Sequence, residues 1–250
     1  MFLLGGEIIE VSCGGGKGSM DLSQPKPGVL LYSHSGGELW GSAVHPSVHD
    51  LYVTVGDDCT LRVWSVSTDR MVYSIGLGWA ARCVCFHPCG GVVAVGFMES
   101  VKGGAKKEKK EKEKEKDAKN SHVGAVHLYS FTVNSSNGSI SMEKISDGCT
   151  TTAWVNEINF SPSGKILAVG SHDKKVYFYE IPSLPNGENF VVSEWENCLK
   201  KTKFVFDKHS SAVLHSDFSL DGKYLQTDSQ VRSLCHFCSF ILVALVFEIF

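Results

Sequence analysis

The chain has 250 residues, of which 43% are apolar and 20% charged, enough for one large domain or two small ones with a sizeable core. A net charge of -3 excludes the basic footprint of a nucleic-acid binder. The 25 glycines fall mostly between short apolar runs, which favours many strands joined by tight turns.

The chain opens without a basic start, and its first apolar run is only Phe2–Leu4, so no secretory signal is read there. The nine cysteines then read as reduced thiols, mostly packing residues. Phe2–Leu4 and Glu7–Val11 are expected to form a hairpin around Gly5-Gly6, with Val29–Tyr32 as an outer strand. Residues 1–32 are thus assigned to the end of a preceding repeat. The Gly-, Ser- and Pro-rich stretch Cys13–Pro27 is a loop within it.

From residue 33 to 228 the chain repeats itself. The first unit runs through Glu38–Pro46, Leu51–Asp58 and Leu61–Ser65. The second runs through Arg82–Gly90, Val92–Gly96 and Ala125–Tyr129, and the third through Glu157–Gly164, Ile166–Asp173 and Val176–Tyr179. A fourth begins at Val213 and reaches Thr227. Each reads as strand, Pro/Gly turn, strand, Asp turn, and strand ending in an aromatic. Met71–Ser74 and Lys203–Phe206 are candidate fourth strands. Four strands at this period mark a propeller blade, and strands apolar on both faces fit blades packed on two sides. The fold class is all-β: a WD-repeat β-propeller, incomplete, with about three full four-stranded blades and partial blades at both ends.

Asp58 lies six residues before Trp64, and Asp173 six before Tyr179. His34, Thr54, Asp58 and Trp64 are expected to form a buried polar network in which the turn aspartate holds a histidine from the preceding loop. Asp173 is assigned the same role in its own unit. Such networks persist only when every member is hydrogen-bonded, so these residues read as structural and not as catalytic.

The segment 101–122 interrupts the second unit. Val101–Asn120 carries nine lysines and five acidic residues, a local charge of +4 that leaves -7 on the rest of the chain. With only Val101 and two alanines as apolar residues, it is expected to be disordered and solvated. One reading is a tolerated loop expansion. The other is a partner-binding basic arm made of Lys106, Lys107, Lys109, Lys110, Lys112, Lys114 and Lys116. After Asp228 the expected third strand does not come, and residues 229–250 form a divergent apolar tail. The tail is read as an alternative or non-coding end, as a membrane anchor, or as a strand. A span needs about twenty apolar residues, and Ser239–Phe247 is shorter.

No catalytic constellation is found, and the chain is not expected to be an enzyme. Gly14–Ser19 fails as a phosphate loop because Gly18 follows Lys17. Cys235 and Cys238 have metal-ligand spacing but lack a second pair. Cys83, Cys85 and Cys89 read as packing residues, and His45, His87 and His172 as turn residues. No cofactor, metal, nucleic acid or small-molecule substrate is expected.

Several of these segments carry a family resemblance. Gly6–Val11, Gly37–Gly41 with Val44-His45-Pro46, Leu61–Ser65, Leu167–Asp173 and Asp221–Thr227 resemble the echinoderm microtubule-associated protein-like proteins, near the junction of their two propellers. The resemblance covers about Phe2 to Asp228 outside the insert. It implies a cytoplasmic, cytoskeletal scaffold that binds microtubules or tubulin through propeller surfaces. The family's trimerising coiled coil, its opening hydrophobic motif and its later blades are not found, so the chain reads as a fragment or truncated product. The alternative is a general WD-repeat adaptor in another complex, for example ciliary or ubiquitin-linked.

Overall fold

A computed structural model describes residues 8–10, 28–31, 34, 37–98, 124–134, 136–149, 151–182 and 192–230. Phe2–Leu4, the lysine-rich insert and residues 231–250 of the C-terminal tail lie outside these residues.

The first sheet pairs β1 (Ile8–Glu10) with β2 (Gly28–Leu31). Three four-stranded antiparallel sheets follow, each in simple chain order. The first of these holds β3 (Leu39–Val44), β4 (Leu51–Gly56), β5 (Thr60–Ser65) and β6 (Arg70–Gly76). The next holds β7 (Ala81–Phe86), β8 (Val92–Phe97), β9 (Ala125–Val133) and β10 (Ile140–Cys149). The third holds β11 (Val155–Phe160), β12 (Ile166–Ser171), β13 (Val176–Glu180) and, after the short helix α1 (Val192–Trp195), β14 (Phe204–Phe206). A final pair joins β15 (Val213–Phe218) to β16 (Leu225–Ser229). Adjacent sheets meet along their first strands β3, β7, β11 and β15. The described part of the chain is therefore an all-β propeller arrangement with one sheet per sequence repeat.

Alternation of side chains explains how each second strand serves two neighbours at once. In β8, Val93 and Val95 pack with Val53, Val55 and Leu61 of the preceding sheet. Val92 and Ala94 point the other way, towards Val155, Ile158 and Leu167 of the following one. In β12, Leu167 and Val169 face backwards, while Ile166 and Ala168 face forwards onto Val213 and Leu225. Strands β8 and β12 are buried along their whole length. Fully burying one such side chain stabilises by about 1.5–3 kcal/mol, so the apolar runs read from sequence are the inter-sheet cores.

Two elements were not legible in the sequence. The fourth strand of the second unit, β10, is ten residues long and mostly polar, because it lies on the outer edge; from Ile140 to Gly148 it buries only Met142, Ile145 and Ser146. The stretch around α1 closes the gap between the second and third sheets with Trp195 and Leu199, both essentially fully buried.

The turns also link sheets. His45, in the first unit's His-Pro turn, lies against Gly90 of the second unit's turn. His87 in turn lies against Gly164 of the third. Gly90 and Gly164 both have positive φ (77° and 73°), and a Cβ at either would strike the imidazole. Glycine is thus required twice over at these positions, by conformation and by close approach.

Candidate partner-binding face

At the end of the sheets where the first strands begin, a chain of hydrogen bonds crosses the first four-stranded sheet. Trp64 Nε1 donates to Thr54 Oγ1 at 2.7 Å, and Thr54 Oγ1 lies 2.8 Å from His34 Nε2. His34 Nδ1 lies 2.8 Å from Asp58 Oδ1. A carboxylate can only accept, so in the neutral imidazole Nδ1 carries the proton and Nε2 accepts from the Thr54 hydroxyl. Arg62 Nη2 closes the far end, donating to Asp58 Oδ2 at 2.7 Å. Burial works against the Asp58 charge, but hydrogen bonds from His34 and Thr60 outweigh it and hold the carboxyl below its ordinary range.

Asp173 is not joined to this set; it organises the equivalent turn of the third sheet. It accepts from Thr152 N (2.9 Å), Thr152 Oγ1 (3.1 Å), Lys175 N (3.2 Å) and Tyr177 OH (2.7 Å). Tyr177 reaches back four residues to Asp173 just as Arg62 reaches back to Asp58. Burial, followed by the Asp173 carboxylate, pushes the Tyr177 hydroxyl pKa up.

The last sheet repeats part of the first network. His209 Nε2 lies 3.0 Å from Thr227 Oγ1, and both side chains are buried. The register gives the reason: Ser42 pairs with Thr54 as Ser216 pairs with Thr227. The same ladder position holds Val95 and Val169 in the intervening sheets, where no hydroxyl is available. Sequence reading missed His209. The signal was present, since His34-Ser35 and His209-Ser210 each precede a second-strand threonine by about the same interval.

The four first strands share one irregularity. Each pairs with its second strand through a bulge at its second residue: Trp40, Arg82, Asn156 and Leu214. A bulge leaves its residue out of the ladder and re-aims the side chain. All four residues line one cavity of about 410 Å³, together with Glu157 and His215. The Arg82 guanidinium lies 4.3 Å from the Trp40 ring and 5.5 Å from the ring of Trp154, which is not among the lining residues. Trp40 is pinned by its Nε1–H to Asp57 Oδ1 at 2.8 Å, and Trp154 packs on His172 at 5.4 Å. Asn156 Nδ2 donates to Val213 O at 2.7 Å, while its buried Oδ1 has no partner among the described residues. Glu157 accepts from Asn159 Nδ2 at 3.0 Å and lies 3.6 Å from His215 Nδ1. Burial pushes its carboxyl pKa up against the pull of His215.

Of the cysteines Cys83, Cys85 and Cys89, Cys83 also lines the cavity. Cys83 and Cys85 face the core between the second and third sheets, and burial raises both thiol pKa values. Cys89 sits in the turn, where its N–H donates to His87 Nδ1 at 3.2 Å. Among the described residues no group of three His, Cys, Asp or Glu side chains is placed to hold a metal ion. The lysines 106–116 and the pair Cys235 and Cys238 lie outside those residues.

Residues 39–239 match the family model for the echinoderm microtubule-associated protein second beta-propeller. Human echinoderm microtubule-associated protein-like 3 is 27% identical over 192 residues, covering 77% of this chain and 16% of that protein. The mouse echinoderm microtubule-associated protein-like 2 is 32% identical over 192 residues, covering 77% of this chain and 23% of that protein. The chain thus spans less than a quarter of the length of these relatives. Among solved structures, Sqt1 from Chaetomium thermophilum, bound to the N-terminus of the ribosomal protein L10, shares the fold. Its TM-score is 0.54 at 17% identity, over 78% of this chain and 43% of that one.

Proposed function

The chain belongs to the echinoderm microtubule-associated protein family, and from that premise we propose that it is a scaffold that binds microtubules or soluble tubulin. The observation that carries this reading is the match of residues 39–239 to the family's second propeller. It acts by protein–protein binding in the cytoplasm, at the microtubule cytoskeleton, without catalysis. The network of His34, Thr54, Asp58 and Trp64, and the turn held by Asp173, are structural. They fix the loops at the end of the sheets where the first strands begin.

The +4 segment containing Lys106, Lys107, Lys109, Lys110, Lys112, Lys114 and Lys116 supplies a second, salt-sensitive contact to an acidic partner. Exposed charges act over about 8–10 Å at moderate salt, so this contribution belongs to low ionic strength.

The test is cosedimentation of the purified chain with taxol-stabilised microtubules at low and at physiological salt. Pelleting that survives physiological salt is expected. A folded, soluble chain that stays in the supernatant overturns the reading in favour of an adaptor for another protein, a role a propeller surface serves equally well. Deleting Lys102–Lys119 lowers pelleting at low salt only; unchanged low-salt pelleting removes the basic arm from the mechanism.

A further inference from the structure

We infer that the cavity at the start of the first strands is a receptor for a carboxylate side chain of an extended acidic peptide, with Arg82 as the residue that receives it. The inference extends the binding role above by naming a surface and a ligand chemistry, and it rests on the reading that the propeller binds protein partners.

Arg82 is a guanidinium with no carboxylate and no hydrogen-bond acceptor among the described residues; its only partners are the faces of Trp40 and Trp154. Contact with two ring faces uses none of the guanidinium N–H donors and leaves them for an incoming group. It also removes much of the conformational freedom that an arginine loses on binding. Each ring is itself held, Trp40 by Asp57 and Trp154 by His172, so the cation is positioned before any ligand arrives. A planar, preset donor fork matches a carboxylate in two parallel hydrogen bonds.

A second, independent observation points to a ligand in the same cavity. Asn156 is more than nine-tenths buried, and its Oδ1 has no hydrogen-bond partner among the described residues. A buried acceptor without a donor is costly, and Asn156 is among the residues that line the cavity. An extended peptide offers a side-chain carboxylate for Arg82, and a main-chain N–H for the Asn156 amide once that side chain turns into the cavity. The other charged group in the cavity, Glu157, is engaged by Asn159 and His215 and does not pair with Arg82. The repeated bulge is what brings these groups together. Arg82 and Asn156 both occupy the unpaired second position of a first strand, which frees them from the ladder and turns them towards one space.

The test uses the full chain and fluorescein-labelled octapeptides of glutamate, glutamine and lysine, read by fluorescence anisotropy. The lysine-rich insert also attracts glutamate, so every measurement is repeated on the chain lacking Lys102–Lys119. In both forms the glutamate peptide is expected to bind, and the glutamine and lysine peptides to bind about tenfold more weakly or worse. Arg82→Gln weakens the glutamate peptide by about tenfold or more, and Arg82→Lys by less, because lysine keeps the charge and loses the fork.

Equal binding of glutamate and glutamine peptides to the unaltered chain overturns the inference without any variant. So does glutamate binding that disappears with the insert, or that survives Arg82→Gln. None of these outcomes depends on microtubule pelleting. The scaffold can therefore stand while this site falls, and the reverse.

Discussion

The His34 imidazole and the Thr54 hydroxyl, 2.8 Å apart, tie the segment ahead of the first four-stranded sheet to that sheet's second strand. Thr54 also receives the indole N–H of Trp64 at 2.7 Å, so one side-chain oxygen completes two buried groups. Removing it orphans both.

Thr54→Val keeps the volume and deletes the hydroxyl. Each buried group left unsatisfied costs about 1–3 kcal/mol. A loss of roughly 2–4 kcal/mol in urea unfolding is expected, larger than for Thr227→Val, where among the described residues the hydroxyl has only His209 as a side-chain partner. Equal losses at the two positions would show that the Trp64 bond adds nothing.

Asp58 gives a pH dependence. Its folded-state pKa lies below its unfolded value, so folding favours the ionised carboxylate. The stabilisation is complete above the unfolded pKa of about 3.9 and is lost as pH falls through the lower folded value. Asp58→Asn should therefore lower stability at neutral pH and flatten the acid limb between about pH 5 and 2. An acid limb of unchanged slope would place the titration elsewhere.

His45, His87 and His209 are each held below the ordinary histidine pKa by burial. A base with a lowered folded pKa stabilises fully above its unfolded value, about 6.5, and that stability is lost as pH falls below it. His87 is fixed from both sides, with Nε2 at 3.1 Å from Gly164 O and Nδ1 accepting from Cys89 N. Thermal melts from pH 7.5 to 5 should show a falling Tm, with a shallower fall in His87→Gln.

Gly164→Ala places a Cβ into the His87 ring at a backbone φ of 73°. Conformational strain and the clash act together, and a loss of about 2–4 kcal/mol is expected. Gly138→Ala has nearly the same φ, 69°, but open space around it. It should cost about 1 kcal/mol, the conformational part alone. Chemical denaturation of the two variants side by side separates the two contributions.

Burial raises the thiol pKa values of Cys83, Cys85 and Cys89, and Cys89 alone of the three is exposed. Of these three, only Cys89 should react with a thiol reagent in the native chain, with Cys83 and Cys85 following on unfolding. Mass mapping of the labelled peptides checks the order; early labelling of Cys83 would mean that the inter-sheet core opens.

The sequence by itself was enough for the all-β repeat. Alternating apolar strands, Pro/Gly turns and a fixed Asp-to-aromatic interval are local features, and each unit displays them without help from its neighbours. It also sufficed to name His34, Thr54, Asp58 and Trp64 together, of which Thr54 and Trp64 share one sheet, Asp58 its turn, and His34 the segment ahead of it. Whatever depends on contact between sheets was decided by tertiary structure. The polar edge strand β10 has no periodicity to announce it. Trp195 becomes a core residue only where two sheets leave a gap. Arg82 meets both Trp40 and Trp154 only because three different repeats bring side chains to one place, two of them at bulges in adjacent first strands. A repeat pattern describes each unit against itself. It carries no information on which side chains of different units meet, because packing around a common axis sets that.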